Sequence, residues 1–98
     1  MKGKLIKMSV QEEVLEKVLT VEKTNKEYEI IVYNDDYNTF DHVIDTLIST
    51  CDHNPIQAEQ CTLLIHYTGK CAVKTGEMND LKPRCSKILD AGITAEIL

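Results

Sequence analysis

Asn34-Asp35-Asp36-Tyr37-Asn38-Thr39-Phe40 follows the run Tyr28-Glu29-Ile30-Ile31-Val32-Tyr33, and His66-Tyr67-Thr68-Gly69-Lys70 comes about 30 residues later. The reading of these stretches decides the fold. Residues 28–33 are β-branched, aromatic and almost wholly apolar, which predicts a strand. Asn34-Asp35-Asp36 breaks it. Phe40, Val43, Ile44, Leu47, Ile48 and Cys51 then recur at the spacing of one helix face. Asn38 or Thr39 can cap that helix, and Asp41 suits its positive end.

The second helix has sharper limits. Asn54 precedes Pro55, which favours the first helical position, and Gln57 can complete a capping box. Ala58, Cys61, Leu64 and Ile65 supply its apolar stripe, and Gly69 is a left-handed stop. Cys71, Val73 and Thr75 alternate with Lys70, Ala72 and Lys74, as in a half-exposed strand. A third helix is expected from about Asp80, with Pro83 inside its first turn. Leu81, Cys85, Ile88 and Leu89 form its inner face, and Gly92 ends it. Ile93, Ala95 and Ile97 make a last strand. The order β-α-α-β-α-β predicts an α+β, two-layer sandwich: three helices on one face of a small, mainly antiparallel three-stranded sheet.

The chain has 98 residues, 43% hydrophobic, enough for one domain with a modest core. With no Trp, one Phe and four Tyr, that core must be mostly aliphatic. The net charge of −5 disfavours nucleic acid, whose phosphates demand a basic face. No apolar run approaches the roughly 20 residues of a membrane helix, and Leu5-Ile6 is too short for a signal sequence, so a cytoplasmic chain is expected. Residues 1–26 are expected to be an extension. Val10, Val14, Val18 and Val21 recur at helical spacing, consistent with a short amphipathic helix or a mobile arm. The compact domain should span 27–98. Cys51, Cys61, Cys71 and Cys85 lack the close pairing of a zinc site and are expected as buried free thiols.

The two opening stretches can place amide, carboxylates and imidazole around one cleft with apolar side chains beneath, an arrangement that would suit an amine bearing a hydrophobic side chain. Asn34, Asp35 and Asp36 are also ordinary turn residues, and a histidine near a helix end can serve only the dipole or a carbonyl. Spacing alone leaves both readings open. Thr62 lies four residues before His66, so the two share a helix side.

Over residues 28–70 the chain resembles the bacterial ClpS adaptors, which recognise destabilising N-terminal residues. The landmarks are the strand with Asn34-Asp35-Asp36-Tyr37, then Phe40, Val43-Ile44-Asp45, Leu47, Ala58, Ile65-His66, Gly69 and Lys70. The resemblance implies an adaptor for N-degron proteins that begin with Leu, Phe, Tyr or Trp. Its partner would be the N-terminal domain of a Clp AAA+ ATPase that feeds a protease. It implies that Asn34 and His66 hold the α-amino group, and that Asp35 and Asp36 shape the entrance and bond the first peptide unit. Asn38, Phe40, Val43, Thr62 and Ile65 would line the side-chain pocket. Glu77 and Lys82 are the candidates for docking on the ATPase. No catalytic residue, cofactor or metal is implied. Phe40 stands where the family usually has Met, Thr62 replaces a more apolar residue, and Thr39 stands where Pro is common.

Three other readings compete with this one. Cys61 and His66 as nucleophile and base diverge by about 140° on one helix. A metal module of His42, His53, His66 and thiols has irregular spacing, with His42 and His53 expected to be solvated near helix ends. A generic interaction domain with a repurposed cleft is the remaining alternative.

Overall fold

The computed structural model describes residues 27–98; the expected extension over 1–26 lies outside them. The elements are β1 (Tyr28–Tyr33), α1 (Phe40–Cys51), α2 (Pro55–Thr68), β2 (Lys70–Gly76), α3 (Met78–Asp90) and β3 (Ala95–Ile97). β1 is the central strand, antiparallel to β2 on one side and to β3 on the other. This is the expected α+β sandwich. Ile30 and Val32 of β1 pack with Val43, Leu47, Ala58, Ile65, Leu81, Cys85 and Ile88 of the helices.

Local chemistry explains the element limits. The Thr39 hydroxyl accepts from the His42 N–H at 3.1 Å, so Thr39, of the two candidates, caps α1. Asn54 Oδ1 accepts from the Gln57 N–H at 2.7 Å, with Pro55 at the first position of α2. Gly69 closes α2 with φ of 97°, where a side chain would be strained. That stop turns the chain directly into β2.

Several details differ from the sequence reading. α3 starts at Met78, after Glu77, so Pro83 lies in its second turn. It there withholds the N–H that the Asn79 carbonyl would accept. Leu89 is 50% exposed, because Leu81, Cys85 and Ile88 set the inner face and Leu89 falls about 80° from Leu81. Leu64 is likewise exposed. Ala58, Thr62 and Ile65 define the buried side of α2, and Leu64 lies about 120° from Ala58. Cys51 and Cys85 are buried, whereas Cys61 and Cys71 are half-buried; all four thiols are free. Ile93 is buried but precedes β3.

His53 is buried at 5% exposure, contrary to the solvated position expected for it. The cause is a bulge in the sheet. Ile30 pairs with Lys74 and Ile31 with Ala72, which leaves Val73 unpaired between them. His53 Nε2 donates to the freed Val73 carbonyl at 2.6 Å. A buried carbonyl without a partner would cost about 1–3 kcal/mol.

Arg84 on α3 ties three elements together. Its guanidinium donates to the Thr50 carbonyl at 2.8 Å, capping the end of α1, and meets Asp52 at 3.1 Å and Asp80 at 3.2 Å. The two ion pairs are partly exposed and individually weak; the carbonyl contact adds direction. Arg84→Ala is expected to cost about 1 kcal/mol, lowering the melting temperature by roughly 4–8 °C. Arg84→Lys should recover little, since one ammonium cannot serve three acceptors in a fixed fork. Thermal melts of the two variants check this; an unchanged midpoint for Arg84→Ala would refute the tie.

Candidate functional site

The cleft begins with a backbone bond. The Asn34 N–H donates to the Gly69 carbonyl at 2.9 Å. That contact sets the end of β1 against the end of α2, and so brings Asn34 beside His66. The helix stop at Gly69 and the strand stop at Asn34 are thus two sides of one joint.

Asp35 builds the turn that follows. Its Oδ1 accepts from the N–H groups of Tyr37 and Asn38, both at 2.8 Å, and its Oδ2 accepts from the Asn38 side-chain amide at 2.7 Å. Partial burial alone would push the Asp35 carboxyl upward. The Asn38 and Tyr37 N–H groups, the Asn38 side chain and the nearby His42 outweigh it and hold the group below its ordinary value. The same Asn38 amide donates to the Gly92 carbonyl at 3.0 Å, and His42 Nε2 donates to the Ala91 carbonyl at 2.8 Å. The α3–β3 turn is therefore latched to the β1–α1 turn from behind. Sequence reading missed this latch; Gly92, with φ of 86°, was its only local sign.

A cleft of about 290 Å³ opens between the β1–α1 turn, the start of α1 and α2. It is lined by Asn34, Asp35, Asp36, Asn38, Thr39, Phe40, Val43, Thr62, Ile65 and His66. All nine residues expected around it are there, with Thr39 added. Its floor is apolar: Val43 and Ile65 are buried at 8% and 4% exposure. Thr62 is also buried, and its hydroxyl donates to the Ala58 carbonyl of its own helix at 2.7 Å. The hydroxyl's one proton is thereby committed, so Thr62 offers the cleft no donor, only an acceptor oxygen and a methyl group.

The rim is polar and open. Asn34, Asp36 and His66 are exposed. The His66 ring stands nearly perpendicular to Phe40, with centroids 5.3 Å apart, and to Tyr67 at 4.9 Å. Asn38 is less a pocket wall than a strut, since its amide is committed to Asp35 and Gly92. Glu77 and Lys82 do not line the cleft; both are exposed, at the start and in the second turn of α3.

A larger recess of about 380 Å³ is lined by Cys51, Asp52, His53, Gln57, Ala72, Val73, Lys74 and Thr75. It is more open, and its charged groups already have partners: Lys74 reaches Asp52, which Arg84 of α3 also meets. Its lining is less apolar than that of the smaller cleft and its charged groups are already paired, so the smaller cleft is the better candidate. Among the described residues no group of three His, Cys, Asp or Glu side chains could hold a metal ion. Burial, with Cys71 and Cys51 nearby, pushes the Cys61 thiol up to about 12, far from the thiolate a nucleophile requires.

Residues 23–96 match the family model for ClpS, the ATP-dependent Clp protease adaptor protein. The chain belongs to the ClpS family. It is 38% identical over 69 residues to the ATP-dependent Clp protease adapter proteins ClpS of Escherichia coli O1:K1 and Shigella boydii serotype 18. That match covers 68% of this chain and 65% of those relatives' own length. In three dimensions the fold is similar to Agrobacterium tumefaciens ClpS2, solved bound to L-phenylalaninamide. The TM-score is 0.72 at 18% identity, covering 76% of this chain and 96% of that one. No helix among the described residues is long and apolar enough to cross a membrane.

The Asp35 turn has a pH signature in this ClpS-family chain. A carboxyl held below its ordinary value adds stability that is fully present above about pH 4 and is lost as the pH falls through the lowered value. Asp35→Ala is therefore expected to be less stable than the parent at pH 7, and the gap should narrow below pH 4. Urea midpoints between pH 2.5 and 7 measure it; a gap independent of pH would show that the carboxylate's charge does not hold the turn.

Proposed function

We propose that this chain is an adaptor that binds proteins with a free, bulky, hydrophobic N-terminal residue and delivers them to a Clp AAA+ unfoldase and protease. It catalyses no reaction itself. The observation that carries the reading is the cleft: an apolar floor of Val43, Thr62 and Ile65 under a rim of Asn34, Asp36 and His66, in a ClpS-family fold. The relative solved with L-phenylalaninamide holds the same kind of ligand, an aromatic side chain beside a free α-amine.

The two parts of the cleft divide the work. Burying an aromatic side chain removes about 150–250 Å² from water, worth roughly 4–6 kcal/mol. Exposed ammonium–carboxylate pairs give about 0–1 kcal/mol. The floor therefore supplies most of the affinity, and the rim supplies discrimination. In this reading Asn34 and His66 accept hydrogen bonds from the ammonium. Asp35 is occupied within its own turn, so its part is to shape the entrance. Asp36 remains free to add negative potential and to meet the first peptide unit. An internal peptide presents an amide instead of an ammonium and leaves rim acceptors unpaired, at about 1–3 kcal/mol each. Leu, Phe, Tyr and Trp fit the floor as first residues.

The partner in this reading is the N-terminal domain of the ATPase. Glu77 and Lys82 are the proposed docking contacts, supported by their exposure away from the cleft, which leaves the cleft open to cargo. A cytoplasmic location is part of the proposal.

Fluorescence anisotropy with short labelled peptides tests the proposal. A peptide beginning with free Phe should bind at least tenfold more tightly than its N-acetylated twin. His66→Ala should weaken the free peptide by about five- to tenfold while leaving the melting temperature within about 2 °C, since the ring is exposed. Equal binding of free and acetylated peptides would refute the amine-directed reading.

A further inference from the structure

Phe40 is the only phenylalanine of the chain. It opens α1 directly after the Thr39 cap, lines the cleft and remains 39% exposed. Of the other side-chain walls, Val43 and Ile65 are aliphatic, and Thr62 has its hydroxyl proton committed to its own helix. Phe40 and His66 are the two aromatic walls. Their rings are held at 76° with centroids 5.3 Å apart. Two near-perpendicular rings form a corner. A third ring entering it finds an offset or edge contact on each wall, whereas a saturated ring of equal size finds only area. The His66 ring also meets the Tyr67 ring at 77°, with centroids 4.9 Å apart.

We infer that Phe40 makes this cleft selective for an aromatic first side chain over a saturated one of the same size. The inference rests on the reading of the cleft as an N-terminal-residue site and names a preference within it. Hydrophobic burial alone favours whichever ligand hides more apolar surface, so cyclohexylalanine should equal or exceed phenylalanine. The quadrupole contact works the other way, because only an aromatic ring pairs its edge with a neighbouring face. Aromatic pairing beyond area burial corresponds to about a two- to tenfold preference.

The test uses two peptides identical except for the first residue, phenylalanine or cyclohexylalanine, both with free amines, plus the N-acetylated phenylalanine peptide. Dissociation constants are compared for the full chain, Phe40→Leu and Phe40→Met, with circular dichroism confirming that each variant folds. The parent should prefer phenylalanine by two- to tenfold. Phe40→Leu should bring the ratio to within twofold of unity or invert it. Phe40→Met covers the case in which Phe40→Leu does not fold, and it too should lower the ratio, since a thioether edge contact replaces only part of the ring pairing. A parent ratio at or below one overturns the inference, as does a preference that survives both substitutions. If the acetylated peptide binds as well as the free one, the amine-directed reading fails; the phenylalanine-to-cyclohexylalanine ratio still judges Phe40 separately. If no peptide binds, both fall.

Discussion

The Asp35 carboxylate holds the turn from which the rest of the cleft is hung. It gathers two backbone N–H groups and the Asn38 amide, and Asn38 in turn reaches the Gly92 carbonyl. Without that clasp the residues between β1 and α1 would be an ordinary polar loop. With it, Asn34 and Asp36 project as a fixed rim, and Phe40 begins α1 at the cleft wall. The second fixed point is the bond from Asn34 to Gly69, which joins the rim to the end of α2 where His66 stands. One side-chain clasp and one backbone bond thus convert two distant sequence stretches into a single concave surface.

Below the rim, the fold supplies what a small aliphatic core can. The helices present Val43, Thr62 and Ile65 as an apolar floor continuous with the core under β1. Thr62 shows how local context overrides residue type. Its hydroxyl donates back to its own helix, which withdraws the one donor it could have shown the cleft. Under the proposed reading, affinity and discrimination reside in different atoms: the floor excludes water and the rim counts hydrogen bonds.

The parts of this structure legible from sequence were those with local causes. Asn54-Pro55 and Gly69 announced the limits of α2, and the 3.6-residue period announced α1. The nine cleft residues were found because a family resemblance supplied the pairing of residues 34–43 with 62–66; their spacing alone supported only the Thr62–His66 face. What remained hidden depended on tertiary partners. The bulge at Val73 is invisible until β1 pairs with β2, and so is the burial of His53 that answers it. Pro83 sits deeper in α3 than its reputation allows because the packing of Leu81, Cys85 and Ile88 outweighs one missing hydrogen bond. The latch onto Ala91 and Gly92 crosses about 50 residues and has no periodic signature.

The central claim is that a free amine with a bulky apolar side chain enters the cleft between the β1–α1 turn and α2. Titrating the isotope-labelled chain with phenylalaninamide and following backbone amide resonances tests it most directly. Shifts should concentrate at Asn34–Asp36, Phe40, Val43 and Thr62–His66, and stay small around the larger recess at Cys51–His53 and Ala72–Thr75. Shifts centred on that recess, or none at saturating ligand, would contradict the account.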